Sequence, residues 1–506
     1  MSKPYTLYEV QDTAKRKRWP RILLWSALCV AILAAALAGG SYLWFRGQVG
    51  GANARVSAAA REQLQSHPAS TIAPVPDPPN SMNILVLGSD NRGDETNGRS
   101  DTMMLVHVDR SQNFVSILSI PRDLYVEVPG HGKQKINAAY SYGGAALAIE
   151  TVQNVTGIDI NQYLEIDFKA FEDITDSLGG VYVDVDRRYY NDDPTREIIK
   201  ISPGYQLLGG HDALEFVRFR YDQNADFGRM ARQQRFLRDL RQQAMSWNNL
   251  TLRLPGLTSA LFGNAATTLS SNEVLRLAYW GVTLSGDRIK QVVMIGDITT
   301  AGEQSVVVVS QDKLSSYLSE FLSAPTPGTG QPSPGQSSVS EVSPAGATAP
   351  SDAGTVKAVQ TIPDASEWKA LSTMVPYALE GPGFIPEGFK YSDRMPQKGG
   401  VYDIVPGDDS KPALRMIYRY GPGGVKSDLY LGITETTWTS APAAGKGQEV
   451  TRNGVTYTIV GSGADADHVW WKTDGVLYFI SNTLTYTVSR ADLLTMAESM
   501  TPVHEQ

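Results

Sequence analysis

The chain has 506 residues, of which 42% are hydrophobic and 19% charged, with a formal net charge of −8. That is ordinary globular composition with room for two or three domains, so a fibrous or wholly disordered chain is excluded. The acidic balance argues against nucleic acid as a partner, because gripping a phosphate backbone takes net positive surface.

From the N-terminus, residues 22–45 contain no charged side chain and are long enough to span a bilayer as a helix. Lys15, Arg16, Lys17, Arg18 and Arg21 precede the span and only Arg46 follows it. The positive-inside rule therefore predicts residues 1–21 as a cytoplasmic tail and everything beyond the span outside the cell. Trp19, Trp25, Tyr42, Trp44 and Phe45 sit near the two interfaces, as membrane-belt aromatics do. A cleaved signal peptide ending near Ala36-Leu37-Ala38 competes with this reading, but the apolar run continues past that point and favours an uncleaved anchor. Residues 1–21 carry six Lys/Arg against two Asp/Glu, which leaves the remainder of the chain at −12. The single cysteine, Cys29, lies within the span, so the exported part has neither disulfides nor thiol chemistry.

Residues 46–80 read as a stalk, with a short polar helix over 55–65 and then the extended Pro74-Val-Pro-Asp-Pro-Pro79. A first globular unit follows over 81–323. Apolar runs at 84–87, 103–108 and 115–120 predict strands. Each delivers charge where strand meets loop, in Gly88-Ser-Asp90-Asn-Arg92, Arg99-Ser-Asp101-Thr and Ser119-Ile-Pro-Arg122-Asp123. Ligands of α/β sheets bind just outside strand ends. Two carboxylates there suit a hard cation, and arginines beside them suit phosphate oxygens. Next come a helix over 138–155, a strand over 163–167, a helix over 169–178 stopped by Gly179-Gly180, and a strand over 181–185. Asp184, Asp186, Asp192 and Asp193 then flank a surface loop.

The stretch 214–219 predicts a further strand, on which Arg218 and Arg220 share one face. Arg229, Arg232 and Gln233 are spaced to share one face of a following helix. Arginines that converge repel one another unless an anion sits among them, and their charge cannot titrate away. Helices over 272–283 and 313–321 bracket a strand over 289–295. Strands alternating with helices predict an α/β unit, a central mixed sheet flanked by helices. His107 alternates with core residues on its strand, and His131 stands alone.

Residues 324–362, rich in Pro, Ser, Gly, Ala and Thr, predict a disordered linker. Residues 363–506 predict a compact α+β module with helices at both ends and strands near 413–420, 429–436, 456–460, 468–472 and 476–481. Trp438, Trp470, Trp471, Tyr478 and Tyr486 read as core or half-buried strand residues, and His468 is alone.

Taken in order, Gly88-Ser-Asp90, Arg99-Ser-Asp101-Thr, Ile120-Pro-Arg122-Asp, Lys135-Ile-Asn137-Ala-Ala-Tyr140 with Gly143-Gly144, and Val217-Arg-Phe-Arg220 with Arg229-Met-Ala-Arg232-Gln-Gln234 resemble the successive motifs of the LytR-CpsA-Psr family. The resemblance covers roughly residues 80–250. It implies a membrane-anchored enzyme that attaches polymers to the bacterial cell wall, with an apolar tunnel for a polyprenyl chain. It further implies that Asp90 and Asp101 are magnesium-linked carboxylates, with manganese as the alternative ion. Arg99 and Arg122 then act in catalysis, and Arg218, Arg220, Arg229 and Gln233 hold the pyrophosphate. Arg92, Lys135 and Arg232 are further pyrophosphate candidates. Which of Asp222 and Asp226 orients Arg229 is open.

Three functions fit these residues. The first is a phosphotransferase moving a glycopolymer from a polyprenyl-pyrophosphate lipid to peptidoglycan. The second is a membrane-bound regulator that binds polyprenyl phosphates without transfer, and the third a pyrophosphate hydrolase. No Ser-His-Asp or Cys-His arrangement points to a covalent intermediate. A carboxylate pair beside arginines favours chemistry over mere binding, because binding alone needs no metal.

Overall fold

The computed structural model describes residues 39–66, 81–89, 100–192, 198–220, 225–246, 250–284, 288–325, 365–392, 400–406, 409–421, 429–461, 466–484 and 486–502. The expected cytoplasmic tail, most of the expected membrane span and nearly all of the linker lie outside them. No helix among the described residues is long and apolar enough to cross a membrane.

A helix over 39–54 (α1) leads into α2 (Ala58–Gln63), which Ser57 caps by accepting from the Ala60 N–H. The segment expected to stand off as a stalk instead packs on the domain as far as α2. Val49 and Ala52 are buried against Phe262, the Asn53 amide donates to the Leu269 carbonyl at 3.0 Å, and Arg55 Nη1 donates to the Phe262 carbonyl at 3.0 Å. The apolar side of α1 packs on Leu261, Phe262 and Val274.

The body of the first unit is built from β1 (Ser81–Ser89), β2 (Ser100–Asp109), β3 (Phe114–Ile120), the hairpin β4 (Tyr125–Val128) and β5 (Gly132–Lys135), α3 (Ala138–Thr156), β6 (Gln162–Asp167), α4 (Phe168–Ser177) and β7 (Val181–Val185). It continues through the hairpin β8 (Tyr189–Asn191) and β9 (Ile199–Ile201), β10 (Gly204–Leu208), α5 (Gly210–Arg218), α6 (Ala225–Ser246), α7 (Leu250–Gly263), β11 (Ala265–Thr267), α8 (Ser271–Thr283), β12 (Ile289–Val293), the hairpin β13 (Asp297–Ala301) and β14 (Gln304–Val308), and α9 (Gln311–Leu322). Six strands form a mixed sheet in the order β11-β6-β1-β2-β3-β12. Period-two alternation sends Leu85, Leu87, Met103 and Leu105 to a core shared with α3 and α9, and Ile84, Val86 and Val106 to a core shared with α8. His107 is buried between Phe114 and Phe321 and pairs with Asn83 at 2.7 Å, so it is a core side chain.

One expected element is of the wrong type. Residues 214–219 form no strand; α5 occupies Gly210–Arg218 and ends as Phe219 turns extended, with ψ 136°. Ala213, Leu214, Glu215, Phe216 and Val217 are all buried, so the helix is enclosed around its girth. A six-residue stretch with four apolar residues fits either period, and packing against α4 and α6 decides it.

The C-terminal unit contains α10 (Ala365–Ser372), β15 (Glu380–Pro382), β16 (Phe389–Tyr391), β17 (Val401–Ile404), β18 (Lys411–Tyr420), β19 (Tyr430–Thr436), β20 (Gln448–Arg452), β21 (Val455–Val460), β22 (His468–Thr473), β23 (Val476–Ser481), α11 (Arg490–Glu498) and β24 (Met500–Pro502). Its main sheet runs β16-β18-β19-β23-β22-β21-β20, with β17 also on β18. One face, with Leu414, Met416, Ile433, Trp471, Tyr478 and Ile480, packs under α10 and α11. The other, with Ala413, Leu477 and Phe479, closes on Tyr205 of the first unit.

Candidate functional site

Strand direction gathers the charged motifs at one end of the sheet. β1 ends at Ser89, antiparallel β2 begins at Ser100, β3 ends at Ile120, and β6, parallel to β1, ends at Asp167 opposite Ser89. Asp101 stands at a bulge: Gly88 faces Thr102 and Ser89 faces Ser100, so Asp101 has no partner in the ladder. A bulge re-aims its side chain out of the pleat. Gly88 is needed there, since a Cβ on it would lie 2.9 Å from the Thr102 Cβ.

Pro121 closes β3, and the Leu124 N–H donates back to its carbonyl at 3.1 Å, so Arg122 and Asp123 occupy the corner of a β-turn. From that corner Arg122 Nη1 reaches Asp101 Oδ1 at 2.7 Å. Asp123 takes the Lys135 ammonium at 2.9 Å and lies 3.6 Å from Arg122 Nε. Lys135 thus joins the cluster through Asp123.

Burial pushes the Asp101 carboxyl up, but Arg122, Arg229 and Arg220 pull it down further, and the net position is below the usual aspartate range. Asp101 is therefore ionised at neutral pH amid three guanidinium groups. The surplus of positive charge is what an anionic pyrophosphate would neutralise.

Arg218 does not share a strand face with Arg220. It is the last residue of α5, 3.9 Å from Glu215, with its guanidinium over the Phe168 ring at 4.1 Å. Phe168 directly follows Asp167, so Arg218 lies at the same sheet end. Gln233 donates to Thr102 Oγ1 at 2.9 Å. Arg232 is turned away: fully buried, it donates through Nε to the Phe216 carbonyl at 3.1 Å and through Nη2 to the Phe219 carbonyl, and stacks near Tyr189 and Phe219. Its expected place on the pyrophosphate gives way to a structural one, because the end of α5 leaves carbonyls that need a donor. Asp90, Arg92, Arg99 and Asp222 lie outside the described residues, as does the Asp226 side chain.

A family model described as the LytR_cpsA_psr family matches residues 42–321, more than half of the chain. The chain belongs to that family. It is 36% identical over 195 residues to the polyisoprenyl-teichoic acid–peptidoglycan teichoic acid transferase TagU of Bacillus anthracis, a match covering 38% of this chain and 62% of the relative. The Enterococcus faecalis protein of the same name is 34% identical over 201 residues, covering 39% of this chain and 64% of the relative. The chain thus spans less than two thirds of the length of these relatives. Among solved structures, Bacillus subtilis TagV is similar at 29% identity, with 48% of this chain and 95% of that chain covered and a TM-score of 0.43.

One further acid lies on the sheet near this end and has no counterpart among the expected site residues. Glu165, on β6 opposite Leu87, accepts from the hydroxyls of both Tyr140 and Tyr163. An acid between Leu164 and Ile166 in an apolar strand was the available signal. Arg235, one turn beyond Arg232, faces Asp184 rather than the sheet end.

Proposed function

We propose that this protein transfers a glycopolymer from a polyprenyl-pyrophosphate carrier to peptidoglycan, anchored in the cell membrane by residues 22–45 with its C-terminus outside. The carrying observation is the convergence of Arg122, Arg220 and Arg229 on the bulged, ionised Asp101 at the sheet end. Family membership and the activity named for the TagU relatives agree with it. The arginines hold the diphosphate oxygens, and Gln233 and Thr102 fix α6 against β2 so that they stay in register. The acceptor hydroxyl then attacks the sugar-side phosphorus while the lipid phosphate departs, a step governed by alignment and charge neutralisation.

The donors available suit a hard divalent cation: Asp101 is an ionised oxygen ligand, and Asp90 is the next residue in sequence after Ser89, the last residue of β1. Magnesium or manganese held by Asp90 and Asp101 would neutralise diphosphate charge as the bond breaks.

The test is the full-length chain in lipid nanodiscs with a polyprenyl-pyrophosphate-linked glycan, magnesium and peptidoglycan fragments, products read by mass. A glycan phosphodiester on peptidoglycan with released lipid phosphate is expected. Free glycan phosphate alone would mean a hydrolase, and donor bound without turnover would mean a receptor.

A further inference from the structure

The C-terminal unit is joined to the first by buried charge, where linker composition alone predicts only a tether. Arg415 on β18 alternates with Leu414 and Met416, so it points away from its own core toward the first unit. Its Nη2 donates to Asp184 Oδ2 of β7 at 3.2 Å, its Nη1 lies 2.7 Å from Oδ1 while donating to Thr434 Oγ1 at 2.7 Å, and Arg235 of α6 approaches Oδ2 at 3.4 Å. The Arg415 and Asp184 side chains are 0% and 7% exposed. A buried charge of this kind is tolerable only while its partner stays in place. Two more residues of α6 are held across the same seam. Arg238 pairs with Asp467 at 3.0 Å, and Gln242 donates to the Pro442 carbonyl at 2.7 Å. Close approach is built in: a Cβ on Gly445 would overlap the Gln242 amide, and one on Gly432 would overlap the Arg415 guanidinium.

α6 is the helix whose first half carries Arg229 and Gln233. Arg235 follows Arg229 by less than two turns, about 9 Å along the axis. A shift of the clamped half therefore moves the arginine that faces Asp101.

We infer that the C-terminal domain is a working part of the donor site: through Arg415 and Asp184 it holds α6 in place and so sets the grip of Arg229 and Gln233 on the pyrophosphate. Arg415 and Asp184 are positioning residues, and the inference rests on the transferase reading above.

Arg415→Met removes the guanidinium. Gly432→Ala keeps Arg415 and displaces its head group, testing position apart from charge. In the full-length chain both variants are expected to raise the donor KM on the order of 10- to 100-fold, as small misplacements of binding groups do, with a smaller fall in kcat. Arg415→Lys is expected between them and wild type, since an ammonium lacks the planar fork of donors. Hydrogen exchange of the α6 amides should quicken in both variants while that of β21 and β22 holds. A lower kcat at unchanged KM, or α6 exchange like wild type, overturns the inference. Should wild type itself neither bind nor transfer the donor, the transferase reading falls, and unchanged α6 exchange would still overturn the clamp by itself.

Discussion

Gln233 Nε2 donates to Thr102 Oγ1 at 2.9 Å, which ties the helix carrying Arg229 to the bulged strand carrying Asp101. Removing either end loosens the same joint. Gln233→Ala and Thr102→Val are each expected to cut transfer roughly tenfold at a stability cost of about 1 kcal/mol, the usual worth of one such bond. Because they break one contact, the double variant should be little worse than either single. A kinetic double-mutant cycle checks this, and full additivity would mean the bond does not couple helix to strand.

Asp101→Asn keeps shape and removes the charge that Arg122, Arg220 and Arg229 surround. Loss of one element of a preorganised electrostatic site lowers turnover by roughly 100- to 1000-fold. Chelation of divalent ions should reduce wild-type transfer and leave the residual rate of Asp101→Asn nearly unchanged. Wild-type turnover by Asp101→Asn in chelator would remove the carboxylate from the chemistry.

Much of this was legible in the chain because its signals are local. Asp101 opens the apolar run of β2 and Arg122 follows the apolar run of β3 just past Pro121, and a charged residue at the edge of such a run must lie at a sheet end. Residues 214–219 misled because so short a run carries no period, and Arg218 took its wrong neighbour from that. The bulge at Asp101 depends on register with β1, which no local pattern encodes. Arg232 and Arg229 share a helix flank and both are buried, and only the carbonyls left at the end of α5 decide which of them turns away from Asp101. The docking face of the C-terminal sheet did leave a trace: Val476-Leu-Tyr-Phe-Ile480 is continuously apolar, the mark of a strand covered on both faces. Its partner, Asp184, lies far back in the chain and is visible only once folded.

Asp239, on α6 at the domain seam, gives a pH signature. Burial pushes its carboxyl up to about 7; Arg235 and Arg238 pull against this, and Asp467 and Asp184 add to it. Its Oδ2 is enclosed without a hydrogen-bond partner among the described residues, beside Tyr205 and His468. An acid whose folded pKa is raised keeps a proton that the unfolded chain releases. Its contribution is fully present below the unfolded value and is lost as pH rises through about 7. Wild type should therefore lose more Tm between pH 5 and pH 8 than Asp239→Asn does. Parallel profiles in scanning calorimetry would place Asp239 outside the titration.

Arg232 separates structure from binding. Its donors serve the carbonyls of Phe216 and Phe219, both buried, and Met in its place would remove both bonds. A hydrogen bond from a charged donor contributes about 1.5–3 kcal/mol. In a unit of this size Arg232→Met should lower Tm by roughly 5–15 °C. The donor KM of the fraction that remains folded should change little, because the side chain faces the α5 end and not Asp101. Arg220→Met, half-buried and beside Asp101, should do the reverse, with donor KM raised and Tm nearly held. Thermal melts and donor titrations of the two variants side by side decide it. Wild-type Tm with a weakened donor KM in Arg232→Met would return this arginine to the pyrophosphate.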